Sequence, residues 1–336
     1  MPGPTPVREL SDIDPSALPG WVLDSTEPLL LRGLARHWPA VQAALATADG
    51  CAAYLRGCYR DATVNAWFGA PEIDGRFFYD EAFSGFNFRA ERLRLDAVLD
   101  ALARHAADAR PPAVYVGSTT VDTCLPGFRA GNDLGFGALE PLMSVWLGNR
   151  TRIAAHQDLP ANLACVVAGE RRFTLFEPGE VGNLYVGPLD FTPAGQPISL
   201  VDMRAPDLAR FPRYAAAQQR ARVAELAPGD ALLIPSLWWH HVEALDPFNV
   251  LVNYWWRRTP EHMDAPIAAL LHTLMCVRDL PPEQRQAWQQ LFEHYVFAAG
   301  DHTAAHIPAP ARGVLAPLDA DATRRLRAQL LQKLKR

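Results

Sequence analysis

The feature that most constrains the fold is a succession of short β-like runs between residues 111 and 258. Turn residues separate the runs, which are AVYVGS, MSVWLGN, TRIAAHQD, NLACVVAG, RRFTLFEP, DALLIPSLWWHHVEAL and NVLVNYWWRR. Many short strands in series, without helices between them, are typical of a β-sandwich or a small barrel. We therefore predict a mainly β core over residues 111–258.

The two flanks of this core show helical patterns. Residues 1–110 mix the helical segments VQAALATA and LDAVLDALARHA with the apolar run EPLLLRGL, which predicts a helical and β flank of the same unit. Residues 259–336 are predicted to form a C-terminal helical region. Four apolar residues there fall at helical spacing: Trp288, Leu291, Phe292 and Tyr295.

The last segment, ATRRLRAQLLQKLKR, carries a leucine stripe among basic residues. Leu326, Leu330 and Leu334 are spaced so that they share one face of a helix. The stripe can pack on a partner subunit, which would make a homodimer, or on the chain's own core, and the sequence leaves both open. The basic residues are interpreted as a solvated face, because one short helix on an acidic protein is a weak basis for binding nucleic acid.

Charge and cysteine content argue against several classes of protein. The formal net charge of −5 gives no reason to expect binding to nucleic acid or to an acidic membrane. The 5 cysteines are odd in number and include no Cys-x-x-Cys, which argues against a disulfide framework and a zinc–thiolate site. The start, MPGPTPVREL, has no apolar signal region, and no run is long enough to span a membrane. We expect a cytoplasmic protein.

A histidine and an aspartate lie two positions apart in the run RIAAHQDLPAN. If residues 152–158 form a strand, the side chains of His156 and Asp158 point to the same side and can reach one ion. A second histidine would complete the 2-His-1-carboxylate face of non-haem Fe(II) enzymes. The pair alone is a weak signal, since His262 and Asp264 have the same spacing. That second pair lies between prolines, however, where a strand is not expected.

The run IPSLWWHHV offers two histidines as the third ligand. In a strand, two sets of residues alternate: Trp238, His240, Val242 and Ala244 on one face, and Trp239, His241 and Glu243 on the other. The first face is the more apolar and therefore the better candidate for the inner one. We predict His240 as the ligand and His241 as an outer residue. The alternative for His240 is a core imidazole bonded to the backbone.

Arg171 is the candidate for an anion-binding residue. Interpreted as one alternating strand, the run from Leu163 to Phe176 puts Arg171 on an apolar face, with Leu163, Cys165, Val167, Phe173 and Leu175. A buried guanidinium needs a counter-charge, because burying it alone is costly. The partner is either a protein carboxylate or a ligand carboxylate, gripped by the paired hydrogen bonds that arginine favours. A dicarboxylate such as 2-oxoglutarate would suit the second alternative.

The chain from about Pro111 to Trp256 resembles the cupin-like JmjC group of Fe(II)- and 2-oxoglutarate-dependent oxygenases. The matching motifs are AVYVGS, VWLGNRTRIAAHQDLPANLACVVAGERRFTLFEP and LAPGDALLIPSLWWHHVEALDPFNVLVNYWW, with LLLRGLARHWPA as a weaker match before the core. Within that group, the chain resembles the asparaginyl hydroxylase that inhibits hypoxia-inducible factor, together with its bacterial relatives. The resemblance implies a double-stranded β-helix (cupin, or jelly roll) with N-terminal helices and a C-terminal helical region.

The resemblance also assigns roles to individual residues. His156, Asp158 and His240 match the family's iron ligands. Five further positions match residues that hold the cosubstrate or line its pocket: Tyr115, Asn162, Arg171, Asn253 and Trp255. Two positions depart from the family's pattern. Arg171 replaces a lysine that binds the cosubstrate, and Ile153 replaces a threonine that often hydrogen-bonds it.

The activity that the resemblance implies is hydroxylation of a protein, peptide or amino-acid-like substrate with Fe(II), 2-oxoglutarate and O2. Arg171 and Tyr115 would hold the far end of the cosubstrate. Because Arg171 and Ile153 depart from the pattern, two alternatives stay open: a metal-binding cupin whose chemistry does not use 2-oxoglutarate, and a non-catalytic binding protein. The aromatic run FFYDEAFSGFNF, residues 77–88, is expected to pack in the core, the alternative being a substrate entrance.

Overall fold

The computed structural model describes residues 3–335 of the chain. The residues up to Arg257 form one compact unit, and those from Arg258 onward form a second. Met1, Pro2 and Arg336, which belong to the predicted flanks, lie outside the described residues. Within the described range, no helix combines the length and the apolar character needed to cross a bilayer.

The core of the first unit is built from β-strands. Its strands are β1 Thr5–Pro6, β2 Arg8–Leu10, β3 Leu29–Leu31, β4 Thr63–Gly69, β5 Arg76–Phe77, β6 Phe88–Arg94, β7 Ala113–Thr120, β8 Leu142–Gly148, β9 Arg152–Gln157, β10 Ala161–Ala168, β11 Arg171–Phe176, β12 Arg222–Leu226, β13 Ala231–Ile234, β14 Trp239–Ala244 and β15 Asn249–Trp256. A six-stranded sheet has the order β1-β12-β11-β14-β9-β5, and a nine-stranded sheet has the order β2-β3-β13-β10-β15-β8-β7-β4-β6. Except for the parallel pairs β1–β12, β2–β3 and β5–β9, the paired strands are antiparallel. The predicted mainly β, cupin-like fold is confirmed.

Apolar side chains from one face of each sheet meet between the two sheets. This inner cluster consists of Val7, Leu30, Ala164, Val166, Phe173, Leu175, Ala224, Leu226, Leu232, Ile234, Trp238, Val242 and Leu251. The other face of the nine-stranded sheet packs under the N-terminal helices, in a larger cluster that includes Leu163, Cys165 and Val167. Strand β10 is therefore buried on both faces, which explains its almost unbroken apolar sequence.

Short helices flank the sheets. They are α1 Gly20–Leu23, α2 Pro39–Ala46, α3 Gly50–Cys58, α4 Leu95–Arg104, α5 Val121–Cys124 and α6 Tyr214–Arg220, with 3-10 turns at Pro71–Ile73 and Pro178–Gly182. Helix α2 begins at a proline, which suits a first helical position because that residue needs no amide donor. Helix α4 buries Leu95, Val98, Leu99 and Leu102. Their spacing forms one apolar face, so the amphipathic pattern decides which side of α4 packs on the sheet.

The second unit is helical. It contains α7 Pro266–Cys276, α8 Pro282–Phe292, a π-helical turn Glu293–Phe297, α9 Asp301–Ala304, 3-10 turns Ala309–Ala311 and Gly313–Leu315, and α10 Ala320–Leu334. The Asp319 side chain caps α10 by accepting a hydrogen bond of 2.7 Å from the Ala322 amide. Among the described residues of this unit, only Thr303 and Ala304 are buried. The leucine stripe is mostly exposed, at 42% for Leu330 and 50% for Leu334.

Candidate metal centre

A cavity lies between the two sheets and is lined by Arg171, Phe173 and Val242, among others; we call it the inner cavity. Three predicted ligands meet at one end of it. His156 on β9 and His240 on β14 are paired directly across the two antiparallel strands. Asp158 follows β9, which ends at Gln157 and is thus one residue shorter than the strand predicted from the sequence. The candidate ligand atoms of the three side chains all lie within 4.8 Å of one another, and His240 Nε2 is 3.6 Å from an Asp158 oxygen. Two imidazoles and one carboxylate at this spacing can surround a single ion.

Backbone carbonyls fix the orientation of both imidazoles. His156 Nδ1 lies 3.0 Å from the Ala154 carbonyl oxygen, and His240 Nδ1 lies 3.0 Å from that of Trp238. A carbonyl only accepts, so each Nδ1 donates and each Nε2 keeps a free lone pair for a metal. Burial lowers the pKa of His240 well below its ordinary value, because the charged imidazolium is poorly solvated there. His240 is therefore neutral at neutral pH, as a metal ligand must be.

A turn before β14 ties His240 to the segment that carries Asp158. The Leu237 amide donates to the Asp158 carbonyl at 2.9 Å, and the Ser236 hydroxyl donates to the Leu159 carbonyl at 2.5 Å. Leu237 has a φ of 66°, in the left-handed region that non-glycine residues rarely adopt. No pattern in the sequence predicts this turn, in which contacts to the metal-binding segment hold the strained residue in place.

The competing histidine pairs lie elsewhere. His241 faces the outer side of the six-stranded sheet, where its Nε2 lies 4.0 Å from a Glu243 carboxylate oxygen. Burial lowers the pKa of His241 to about 4, so this ring is also neutral at neutral pH. Asp264, from the second His-x-Asp pair, lies in the helical unit and forms an ion pair of 2.7 Å with Arg327. Among the described residues, His156 and His240 are the histidines that belong to a cluster of three possible metal ligands.

One argument from the sequence was wrong in its details. The run from Leu163 to Phe176 is not one alternating strand, because β10 and β11 belong to different sheets and a turn separates them. Gly169 in that turn has a φ of 71°, and a side chain there would approach the Phe248 carbonyl oxygen to 2.6 Å. Leu163 consequently faces the helices, whereas Arg171 faces the cavity between the sheets, beside Phe173.

Arg171 is nonetheless buried and unpaired. Its side chain lies at the inner end of the cavity, and the residue is 4% exposed. Its Nε has no hydrogen-bond partner, and in the described part of the chain no carboxylate pairs with its guanidinium. Burial lowers the pKa of Arg171 to about 10, and Tyr115 only partly offsets this. The alternative of a protein carboxylate as the partner therefore fails, which leaves an anion from outside the chain.

The remaining predicted pocket residues lie on the opposite wall, in the nine-stranded sheet. Asn162, Asn253, Trp255 and Tyr115 all line the same cavity as Arg171 and the three ligands. Asn162 Oδ1 and Trp255 Nε1 are buried without a partner. Burial raises the pKa of Tyr115, so its phenol stays protonated and can donate. Three unpaired polar atoms in one cavity, including Arg171 Nε, indicate a polar ligand, because buried polar groups are normally satisfied.

Two further residues shape this pocket. Ile153, at the position where the family often has threonine, is half-buried and lines the cavity opposite Val242. Trp146 was not singled out from the sequence, yet its Nε1 donates to Asn253 Oδ1 at 2.8 Å. Alternation along MSVWLGN separates Trp146 from Met143, Val145 and Leu147, but only the register of β8 against β15 shows that it faces Asn253.

A larger cavity of about 930 Å³ opens on the other side of the metal-binding residues. It shares Tyr115, Trp146, Ile153, His156, Asp158 and Trp255 with the inner cavity. Its volume is in the range of sites that bind a small molecule or a side chain. The aromatic run 77–88 is divided between core packing and the wall of this cavity. Tyr79 is buried at 4% exposure, as expected for core packing, whereas Phe86 and Phe88 line the cavity.

Comparison with known proteins agrees with this architecture. Residues 15–262 match the family model described as the cupin-like domain. HSPB1-associated protein 1 from Homo sapiens is 31% identical over 162 residues, which are 47% of this chain and 33% of that protein. The bifunctional peptidase and (3S)-lysyl hydroxylase JMJD7 from Homo sapiens is 27% identical over 285 residues, 75% of this chain and 81% of that protein. The lysine-specific demethylase JMJ31 from Arabidopsis thaliana is 32% identical over 129 residues, 37% of this chain and 23% of that protein. The chain thus spans about a third of the length of the first of these relatives.

Proposed function

This chain belongs to the cupin-like domain family, and we propose that it is an Fe(II)- and 2-oxoglutarate-dependent oxygenase that hydroxylates a protein, peptide or small-molecule substrate. The observation that carries the proposal is a single cavity whose two ends have different chemistry. One end has two histidines and an aspartate, and the other has a buried arginine without a counter-charge. Relatives named as a lysyl hydroxylase and a lysine-specific demethylase support the choice of an oxygenase.

The donor set fits Fe(II). Two imidazole nitrogens and one carboxylate are the ligands of the facial triad of non-haem iron enzymes, which leaves the other coordination positions open. His156 and His240 would bind through Nε2, because their Nδ1 atoms are engaged by carbonyls. Asp158 would supply one carboxylate oxygen and partly neutralise the ion. Among the described residues, this is the one cluster of three such side chains whose ligand atoms lie close enough for a single metal.

The rest of the cavity fits a dicarboxylate. Arg171 would donate two parallel hydrogen bonds to the distal carboxylate, since a guanidinium matches the geometry of a carboxylate. The protonated Tyr115 hydroxyl would add a donor beside it. The unpaired Trp255 Nε1 offers another donor in the same cavity. The positive charge of Arg171, which lacks a carboxylate partner among the described residues, would thus gain one from the cosubstrate.

When bound, Fe(II), 2-oxoglutarate and O2 supply the oxidation, in which the cosubstrate yields succinate and CO2 and one oxygen atom enters the substrate. The chain's own residues would orient the bound groups and shield them from water. Phe173, Val242 and Ile153 form apolar walls that exclude water from the space between the histidines and Arg171. Trp146 holds the Asn253 side chain with its Nε1–H, so that the amide of Asn253 keeps one orientation.

The direct test is formation of succinate from 2-oxoglutarate by the purified chain with Fe(II). Asp158→Ala should lose Mn(II) binding in an anaerobic titration and lose succinate formation, because it removes the only anionic ligand of the cluster. His262→Ala is the matched control, since it alters the competing His-x-Asp pair outside the site. Undiminished turnover by Asp158→Ala would refute the proposed site.

The same measurements separate the two alternative functions. Metal binding without succinate formation would favour a cupin whose chemistry does not use 2-oxoglutarate, the alternative that Arg171 and Ile153 keep open. Failure to bind Fe(II) or Mn(II) would favour a non-catalytic binding protein. A gain of about 16 mass units on a component of a cell extract would identify the substrate, because it marks insertion of one oxygen atom.

Asparagine-containing peptides belong in the substrate search. The resemblance to the asparaginyl hydroxylase subgroup stays a prediction, and these peptides test it directly. We further propose, from the charge and cysteine content, a cytoplasmic protein that binds neither nucleic acid nor membranes.

We also propose that the helical unit mediates homodimerisation. Its described residues bury only Thr303 and Ala304, while large apolar side chains stay exposed, including Met275 at 69% and Phe297 at 76%. Exposed apolar surface of this kind commonly marks an interface. Light scattering should show a dimer for the wild type and a monomer for Leu330→Glu combined with Leu334→Glu. The control Gln332→Glu lies on the same helix, away from the stripe, and should stay dimeric.

A further inference from the structure

We propose that the large cavity beside the metal centre accepts an uncharged apolar or aromatic side chain of a polypeptide that carries an acidic residue close by. This inference rests on the oxygenase function proposed above and names its substrate class. It depends on three observations: the aromatic wall of the cavity, its single unpaired cation, and the open strand edge beside it.

The wall of the cavity is a series of nearly parallel aromatic rings. Trp67 and Phe88 lie with ring centroids 4.5 Å apart at 25°, and Phe88 and Phe86 lie 5.3 Å apart at 20°. Phe191 extends the series behind Phe86, at 4.9 Å and 17°. Such a wall gains most from burying flat or branched apolar groups, since it offers large contact area and almost no hydrogen-bonding capacity.

The charge around the cavity is positive. Among the described residues that line it, Arg92 is the only charged one apart from the metal-binding His156 and Asp158. Arg92 donates to the Thr63 hydroxyl at 3.1 Å, and no carboxylate in the described residues pairs with it. Aromatic faces also attract cations, but a lysine or arginine side chain here would face Arg92 and find no carboxylate except the metal ligand. An uncharged side chain avoids both the repulsion from Arg92 and the cost of burying a charge without a partner.

Arg92 lies where it can contact a residue two positions from the one that enters the cavity. On β6, Phe88, Ala90 and Arg92 point to the cavity, and Ala90 is paired with Trp67 of the aromatic wall. Arg92 is two residues further along the strand, about 7 Å away. An acidic side chain two positions from the enclosed residue of an extended peptide would therefore reach Arg92.

The strand that carries Arg92 favours a polypeptide over other polymers. Strand β6 is the last of the nine-stranded sheet, so its outer edge has no strand partner among the described residues. Its sequence, FRAERLR, contains no proline, and an extended peptide can pair with such an edge through main-chain hydrogen bonds. A single unpaired arginine beside the cavity is a poor match for a polyanion such as RNA, which is bound through many phosphate contacts.

The test uses four fluorescein-labelled peptides of nine residues. The central residue is Phe or Lys, and the residues two positions before and after it are Glu or Lys. Fluorescence anisotropy with the full-length protein, Mn(II) and 2-oxoglutarate gives the dissociation constants without turnover. We expect the Phe-centred, Glu-flanked peptide to bind tightest, about 3- to 10-fold tighter than its Lys-flanked counterpart. This factor is the effect expected when one attractive charge contact at an exposed site is replaced by a repulsive one.

Two variants on the same strand locate the effect. Arg92→Glu should invert the preference for Glu over Lys flanks. Arg89→Glu should change the ratio of the two dissociation constants by no more than about 2-fold. Arg89 points to the opposite face, over the Phe68 ring, so it acts on the peptide only as a distant surface charge. Both arginines are exposed, so neither change threatens folding.

Several outcomes would overturn the proposal. These are equal or tighter binding of the Lys-centred or Lys-flanked peptides, a preference that Arg92→Glu leaves unchanged, or no binding of any peptide. Displacement of the labelled peptide by a nine-nucleotide RNA at lower concentration than by the unlabelled peptide would point to RNA instead. Because anisotropy needs no catalysis, the peptide preference is tested even where succinate formation and Mn(II) titration fail, so the two proposals fail separately.

Discussion

Replacing Arg171 by methionine should stabilise the metal-free protein and abolish its response to 2-oxoglutarate. Burial lowers the pKa of Arg171 from an ordinary value of roughly 12.5 to about 10. At about 1.4 kcal/mol per pKa unit, the charged guanidinium costs the empty fold on the order of 3 kcal/mol. A pKa depressed in the folded state means that this cost is fully present below pH 10 and is relieved only above it. An apolar side chain of similar length removes the cost at neutral pH.

Thermal and urea unfolding of the protein stripped with EDTA measure the first effect. The free energy of unfolding of Arg171→Met should exceed that of the wild type by about 1–3 kcal/mol, which raises the melting temperature by roughly 5 °C for a unit of this size. The second effect appears on loading with Mn(II) and 2-oxoglutarate. At a concentration 100 times its dissociation constant, the cosubstrate should add about 2.7 kcal/mol to the wild type and nothing to the variant.

The matched control is Arg172→Met. Arg172 is the next residue on β11, but its side chain is 44% exposed and pairs with Glu225 at 2.7 Å. Its loss should cost at most about 1 kcal/mol and leave the response to 2-oxoglutarate intact. The reasoning would be refuted if Arg171→Met destabilised the empty protein more than Arg172→Met does, or if 2-oxoglutarate stabilised Arg171→Met as much as the wild type.

Three further perturbations test separate parts of the site. Removal of metal with EDTA should lower the melting temperature of the wild type but not of Asp158→Ala, and an equal drop in both would place the metal elsewhere. Ile153→Thr should tighten 2-oxoglutarate binding several-fold in anaerobic calorimetry and cost about 1 kcal/mol of stability, whereas Ile153→Val should change only stability. Trp146→Phe leaves the buried Asn253 oxygen without its donor and should lower the free energy of unfolding by roughly 1–3 kcal/mol. In a double-mutant cycle with Asn253→Leu, additive losses would contradict that coupling.

Strand periodicity was enough to predict the mainly β core and the placement of its clearest site residues. Trp238, His240 and Val242, at every second position along the chain, face the inner cavity or the inner cluster, as alternation predicts, and His240 meets His156. Helix α4 likewise follows from the spacing of its apolar residues. These inferences succeed because they depend on local geometry, which the order of residues in one segment determines.

The relations between segments could not be predicted in the same way. Strand alternation continued across the turn at Gly169 predicts the wrong face for Leu163, because the chain crosses from one sheet to the other at that turn. Trp146 contacts Asn253 only because β8 and β15 are neighbours in one particular register. The absence of a carboxylate near Arg171 is likewise a property of the assembled walls, to which many distant segments contribute.

Two doublets show how little of the chemistry is decided by residue type alone. Arg171 and Arg172 are adjacent, yet one is buried without a partner and the other is exposed and paired with Glu225. His240 and His241 are adjacent, yet one joins the metal-binding residues and the other faces the outer side of the sheet. In each doublet the two-residue period of the strand assigns one member to the enclosed face. Which face is enclosed depends on how the two sheets close.

The register of β11 against β14 then sets the length of the cavity. Arg171 is paired with Ala244, four residues beyond His240, so the backbone positions of Arg171 and of the metal-binding histidine are about 13 Å apart along one wall. Side-chain and main-chain bonds hold this register at the turn. The Glu170 amide donates to the Asp246 carboxylate at 2.7 Å, and the Leu245 amide donates to the Glu170 carbonyl at 2.9 Å. A slip of one residue would bring Arg172 inward and leave Arg171 outside, so these bonds, remote from the metal, determine which arginine can serve the site.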